Sequence, residues 1–187
     1  MLRSGVQGEI LAATYLTPER EFSVTELAGL AGATLKSTAQ EVQRLVTAGF
    51  LTDRRSGNQR MVRRPPQSRL VNALAELLAL TYGPLPVLTD ELDGVAGVKE
   101  AFIYGSWAAR HEGQPGGIPD DVDVLILGST PLDELDMVAE KASARLHRAV
   151  NIRRLPPAYW DEPPAGDTFV EAVKSSPMVP IPVATKE

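Results

Sequence analysis

"YGSWAARHEGQPGGIPDDVDVLILG", residues 104–128, decides how the second half of the chain folds. The apolar segment Ala101-Phe102-Ile103-Tyr104 runs into Gly105-Ser106, a Gly/Pro-rich loop follows, and Asp121-Val122-Asp123 then opens the aliphatic run Val124-Leu125-Ile126-Leu127. Both apolar runs have strand length and are bounded by turn residues, so they read as two buried strands separated by a Gly-Ser turn and a loop. Alternation along the second strand puts Asp121 and Asp123 on one face, with Val122, Val124 and Ile126 on the other. Two carboxylates held so close repel each other unless a cation lies between them, and hard oxygen donors of this kind suit Mg²⁺ or Mn²⁺. Gly105 permits close backbone approach to a ligand, while the Ser106 hydroxyl and amide can bond a phosphate. The stretch therefore describes a place for a metal-bound phosphate.

Outward from this centre, "SRLVNALAELLALTY" reads as a helix with an apolar face of Leu70, Ala73, Leu74, Leu77 and Leu78, stopped by Gly83-Pro84. "PVLTDELDGV" is a second helical stretch. Beyond the acidic strand, "PLDELDMVAEKASARLH" is helical, "AVNIRRL" is a further strand, and a short helix lies around Thr168–Lys174 in an otherwise irregular tail. The order helix, strand, strand, helix, strand indicates an α+β domain with a small mixed sheet. Trp160 and Phe169 read as packing on that sheet, Trp107 as an aromatic at the core edge, and His111 and His147 as isolated surface residues.

Residues 104–128 resemble the active-site signature of the DNA polymerase β-like nucleotidyltransferase superfamily, above all the minimal nucleotidyltransferases of toxin–antitoxin pairs. The resemblance implies that Asp121 and Asp123 are the catalytic and metal-binding pair and that Gly105 and Ser106 bind nucleotide. It further implies Mg²⁺ or Mn²⁺ as cofactor, held together with a nucleoside triphosphate, and transfer of a nucleoside monophosphate to a hydroxyl. Two departures stand out. The slots where small members carry Arg and Gly hold Ala109 and Arg110, and the slot for a third carboxylate holds Asn151. A neutral amide balances no metal charge and cannot act as a base, so Asn151 argues for weak or absent catalysis with nucleotide binding retained.

The first third is a different object. Residues 1–64 carry a net charge of +3 and the remainder −8, within a total of −5. "SGVQGEILAATYLTPER" reads as a helix with Val6, Ile10, Leu11 and Leu16 inward; "FSVTELAGLAG" as a short helix capped by Ser23 or Thr25 and ended by Gly32. A third helix begins near Thr34, with Leu35, Val42, Leu45 and Val46 inward and Lys36, Ser37, Gln40, Glu41 and Arg44 toward solvent. Two extended runs, Phe50–Arg55 and Arg60–Arg64, flank a Ser-Gly-Asn-Gln turn, and from Arg54 to Arg64 there are five arginines and no acid. This order, helix, helix, helix and basic hairpin, resembles the winged helix-turn-helix of ArsR- and MarR-type regulators. The resemblance implies duplex DNA as partner. Lys36, Ser37, Thr38, Gln40 and Arg44 would face the major groove, and Arg54, Arg55 and Arg60 would meet the phosphates.

The expected organisation is α+β throughout. A winged helix-turn-helix spans 1–64, a linker with helices 65–96, and a small nucleotidyltransferase-like mixed α/β sheet domain 97–187. Two functional readings remain open: a DNA-binding transcriptional regulator or antitoxin-like protein whose second domain binds nucleotide with Mg²⁺, and an active transferase modifying a protein or RNA hydroxyl. A partner protein such as a toxin and a homodimer are compatible with the first. No cysteine is present, which excludes disulfides and thiolate metal sites, and 43% apolar with 23% charged residues suits a globular protein. No signal peptide is recognisable at the N-terminus and no apolar run approaches spanning length, so a cytoplasmic location without membrane contact is expected.

Overall fold

Hydroxyl caps start each of the first four helices. Ser4 accepts from the Gln7 amide to open α1 (Gly5–Leu16), Thr34 accepts from Ser37 to open α3 (Leu35–Thr47), and Ser68 accepts from Val71 to open α4 (Arg69–Tyr82). Ser23 closes the short strand β1 (Phe22–Ser23) and also caps α2 (Val24–Leu30). Its hydroxyl accepts from the Glu26 amide at 3.1 Å, and the Glu26 carboxylate accepts from the Ser23 amide at 2.7 Å, a reciprocal capping box. Strands β2 (Thr52–Ser56) and β3 (Gln59–Arg63) form an antiparallel hairpin, and β1 adds to the other side of β3, giving the order β1-β3-β2. Ile10, Phe22, Leu27, Val42, Leu51, Val62 and Leu78 fill the core beneath it.

The computed structural model describes residues 4–116 and 119–183, and the chain divides into two units, Met1–Gly83 and Pro84–Glu187. The boundary corrects the expected linker. Helix α4 lies in the first unit, where Val71 and Leu78 join its core, and α5 (Pro84–Leu92) lies in the second, where Val87, Leu88 and Leu92 are buried. The apolar face of α4 is also rotated from expectation, since Leu70 and Leu77 are exposed. By length and composition alone the helical stretch Arg69–Leu92 is apolar enough to cross a membrane, contrary to the reading of the sequence. Val71 and Leu78 of this stretch join the core of the first unit and Val87, Leu88 and Leu92 that of the second, while Leu70, Leu77 and Leu80 are exposed.

The second unit is built on a four-stranded sheet in the order β6-β5-β4-β7. Strand β4 (Val98–Tyr104) pairs antiparallel with β5 (Asp121–Gly128) and with the short β7 (Val179–Pro180), while β5 and β6 (Ala149–Leu155) run parallel. A parallel pair needs a crossover, which α7 (Leu132–Leu146) supplies. Helix α6 (Gly105–His111) follows β4 directly, so the expected Gly-Ser turn is the first turn of a helix. The helices α8 (Pro157–Asp161) and α9 (Thr168–Lys174) complete the unit. Strand β5 buries both faces: Val122, Val124 and Ile126 meet Leu88, Leu92, Leu135 and Val138, whereas Leu125 and Leu127 meet Val170 and Val173 of α9. Asp121 and Asp123 occupy the start of the second face. Among the described residues the architecture is α+β with two small sheets.

Candidate functional site

Register brings the acidic pair together with its neighbours. Asp123 lies opposite Tyr104 on β4 and opposite Asn151 on β6, and Asp121 lies opposite Ala149. The Asn151 side-chain amide donates from one nitrogen to both carboxylates, at 3.0 Å to Asp121 Oδ2 and 3.2 Å to Asp123 Oδ1. An amide thus stands where a cation would otherwise relieve the repulsion between the two acids. Burial pushes the Asp123 carboxyl above the ordinary range; the bond from Asn151 opposes this, and the neighbouring Asp121 charge adds to it.

Gly105 has φ +73°, and a Cβ placed there would lie 2.7 Å from Asp123 Oδ2. Its missing side chain admits the Asp123 carboxylate against the backbone at the start of α6. The freedom that the sequence suggested was for a ligand serves first to seat an acid. Ser106 is exposed next to it. Arg110, one position later than the arginine of the resembled signature, turns away to donate to the carbonyls of Gln114 and Pro115.

The donor set fits a divalent cation only in part. Asp121 and Asp123 offer oxygens, Asn151 presents a donor group in this arrangement, and among the described residues no three of His, Cys, Asp or Glu come together as a metal-binding group. Two carboxylates suit a Mg²⁺ whose shell is completed by water and by phosphate oxygens of a bound nucleotide.

Sequence reading missed two groups on this face. Tyr104 precedes Gly105 on β4; burial raises its phenol, Asp123 and Asp121 raise it further, and Arg153 lowers it. Arg153 lies two residues beyond Asn151 on β6, with its guanidinium 3.7 Å from the Phe169 ring centroid, and Phe169 meets Tyr104 edge-on at 5.8 Å. The alternation of "AVNIRRL" was the signal, since residues 151 and 153 must share a face.

In the first unit, Lys36, Ser37, Gln40 and Arg44 lie exposed on α3 as expected. Thr38 does not. It is fully buried with no hydrogen bond to its hydroxyl among the described residues, so it cannot touch DNA. Leu35 and Glu41 exchange their expected environments: Leu35 is 54% exposed, and Glu41 is 7% exposed, accepting from Gln7 at 2.9 Å and Arg44 at 3.0 Å. The one-sided charge of the hairpin is also corrected. Arg54 is held by Glu21, which precedes β1, and Arg60 by Asp53 at 2.6 Å; Arg63 approaches Glu21 at 3.8 Å. Pairing β1 with β3 delivers Glu21 to arginines far from it in sequence. Arg55 is exposed with no ion pair among the described residues.

Compared with protein-family models and with curated proteins, the chain matches none.

Proposed function

We propose that this chain is a DNA-binding transcriptional regulator, antitoxin-like in kind, with a winged helix-turn-helix in its first unit. Its second unit is nucleotidyltransferase-like and binds a nucleotide with Mg²⁺ in preference to transferring it. The observation that carries the DNA reading is α3: a capped helix with Lys36, Ser37, Gln40 and Arg44 all on its exposed side, preceded by a short helix and followed by a hairpin. A helix so presented suits the major groove, and the hairpin, with Arg55 exposed and Arg54 and Arg60 able to exchange acids for phosphates, suits the backbone. Asn151 supports binding over transfer, because its amide satisfies both acids without adding the negative charge that a metal-dependent transferase uses.

Fluorescence anisotropy with duplex DNA from beside the gene tests the first part. Affinity should fall steeply with salt, and Lys36→Ala with Gln40→Ala should weaken it by about 1–3 kcal/mol at specific sites. Absent or salt-insensitive binding refutes it. For the second part, calorimetry with Mg²⁺ and ATP or GTP should show joint binding and little metal uptake without nucleotide. Asn151→Asp should bind metal more tightly by supplying a third carboxylate.

The alternative, an active metal-dependent transferase, is favoured by one feature: Asp121 and Asp123 converge within reach of a single amide nitrogen. Labelled nucleoside triphosphates with a cell lysate distinguish it. Labelling that vanishes in Asp123→Asn supports transfer, and none with either Mg²⁺ or Mn²⁺ supports the regulator.

A further inference from the structure

The acid-bearing face of the second unit carries two polar donors that have no hydrogen-bond acceptor among the described residues: the Tyr104 hydroxyl and the Arg153 guanidinium. They sit close enough for the Arg153 charge to be felt at the Tyr104 phenol. Carboxylates lie nearby, yet among the described residues Arg153 pairs with none of them. Asp167 is engaged as the cap of α9, accepting from the Phe169 amide at 3.0 Å, the Val170 amide at 3.1 Å and the Tyr159 hydroxyl at 2.6 Å. Asp121 and Asp123 are engaged by Asn151. Meanwhile the guanidinium lies over the Phe169 ring, and Phe169 meets Tyr104 edge-on in turn. A guanidinium lying on an aromatic ring keeps its edge N–H groups free and has given up part of its rotational freedom.

We propose that Tyr104 and Arg153 form an anion subsite that takes a phosphate group of the ligand bound at Asp121 and Asp123. The proposal rests on the nucleotide-binding reading of this face and names the groups that would select for phosphate there. Position decides which part of the ligand is met. Gly105 and Ser106 flank β5 on the β4 side, and Arg153 lies on the β6 side, about 7 Å along the strand from Asn151 at the usual rise per residue. The subsite thus begins beside the Gly-Ser segment at Tyr104 and extends across β5 to Arg153, so it receives a phosphate beyond the one that Gly105 and Ser106 meet. A planar guanidinium gives paired hydrogen bonds to phosphate oxygens, and the phenol adds a third. That phosphate belongs either to the tail of a nucleoside triphosphate or to the phosphodiester of a nucleic-acid end, two sources of one chemistry.

Calorimetry on the full chain tests this with four probes, each with Mg²⁺: ATP, inorganic pyrophosphate, a trinucleotide and adenosine. The proteins are wild type, Arg153→Met, which keeps an unbranched side chain of similar length without the charge, Arg153→Lys and Tyr104→Phe, each checked for an unchanged thermal midpoint. Wild type should bind at least one phosphate-bearing probe more tightly than adenosine. Arg153→Met should weaken that probe about ten-fold or more, Arg153→Lys less, and Tyr104→Phe a few-fold, with adenosine unaffected. A response with ATP and pyrophosphate assigns the phosphate to a nucleotide tail; a response with the trinucleotide alone assigns it to a nucleic-acid end. Phosphate binding in wild type that is unchanged in Arg153→Met and Tyr104→Phe overturns the subsite and leaves the nucleotide reading standing. Binding of none of the phosphate probes by wild type overturns both.

Discussion

Replacing Gly105 by Ala should damage the second unit through two separable effects. The first is conformational. Gly105 has φ +73°, and an L-residue held in the left-handed region costs about 1–2 kcal/mol. The second is steric and local, because the new methyl would lie 2.7 Å from Asp123 Oδ2. The carboxylate can rotate away, but only by abandoning the bond from Asn151, a loss of about 1 kcal/mol. Together the effects sum to about 2–3 kcal/mol. Both tryptophans, Trp107 and Trp160, lie in the second unit, so urea titration followed by tryptophan fluorescence reads that unit alone. Asp123→Ala separates the contributions: the Cβ of residue 123 is 3.7 Å from where the new methyl would lie, an ordinary contact, so the steric part vanishes in that background. Gly105→Ala should then cost about 1–2 kcal/mol, and the cycle should show a coupling of about 1 kcal/mol. Gly105→Ala within about 0.5 kcal/mol of wild type would refute the account of this glycine.

Thr38→Val should stabilise the first unit by about 1 kcal/mol in thermal or urea unfolding, since it removes a buried hydroxyl without an acceptor at nearly constant shape, and DNA affinity should not change. Glu21→Gln should release Arg54 and Arg63 from their acid; anisotropy across a salt series should show tighter DNA binding and a slope of log K against log salt steeper by roughly 1–2. The raised Asp123 pKa means that the folded protein binds this proton more tightly than the unfolded chain. Its ionisation therefore weakens folding as pH rises from the ordinary carboxylate value, about 4, through the raised one, and the loss persists above it. Asp123→Asn should remove that loss, so urea midpoints of variant and wild type should diverge in the variant's favour over this window, and equal pH profiles would contradict it.

The parts of the fold that were legible are those decided by local chemistry. Strict alternation around Asp121-Val122-Asp123 and the hydroxyl caps at Ser23 and Thr34 each act within a few residues, and the elements formed where those signals lay. What escaped depended on pairing between distant segments. Two residues at Phe22–Ser23 become a strand only because β3 offers an open edge, and that pairing places Glu21 beside Arg54, 33 residues away. Helix faces failed for a related reason. The period of α3 allowed either Leu35 or Thr38 to point inward, and packing chose Thr38 despite its hydroxyl. In the candidate site, the pair and the glycine were visible as a motif. The role of Asn151 as a donor to both acids was not, because it depends on the parallel register of β5 and β6.

That register changes what an amide at position 151 means. Three acids meeting at one point repel one another until a cation or a proton relieves them, so such a site gains strongly from its metal. Two acids and an amide are different: the amide nitrogen lies within 3.2 Å of both, and the cluster is hydrogen-bonded as it stands. A cation entering between Asp121 and Asp123 must displace that nitrogen, and the amide then has its oxygen to offer if it turns over. Metal entry therefore replaces two existing bonds, where in a three-acid site it relieves repulsion. A bare ion in water gains little from that exchange because it already holds a full shell of oxygens. An ion arriving on a nucleotide brings phosphates that Ser106 can meet. If the second unit binds nucleotide as proposed, the amide would set a threshold that favours a metal–nucleotide complex over the free ion.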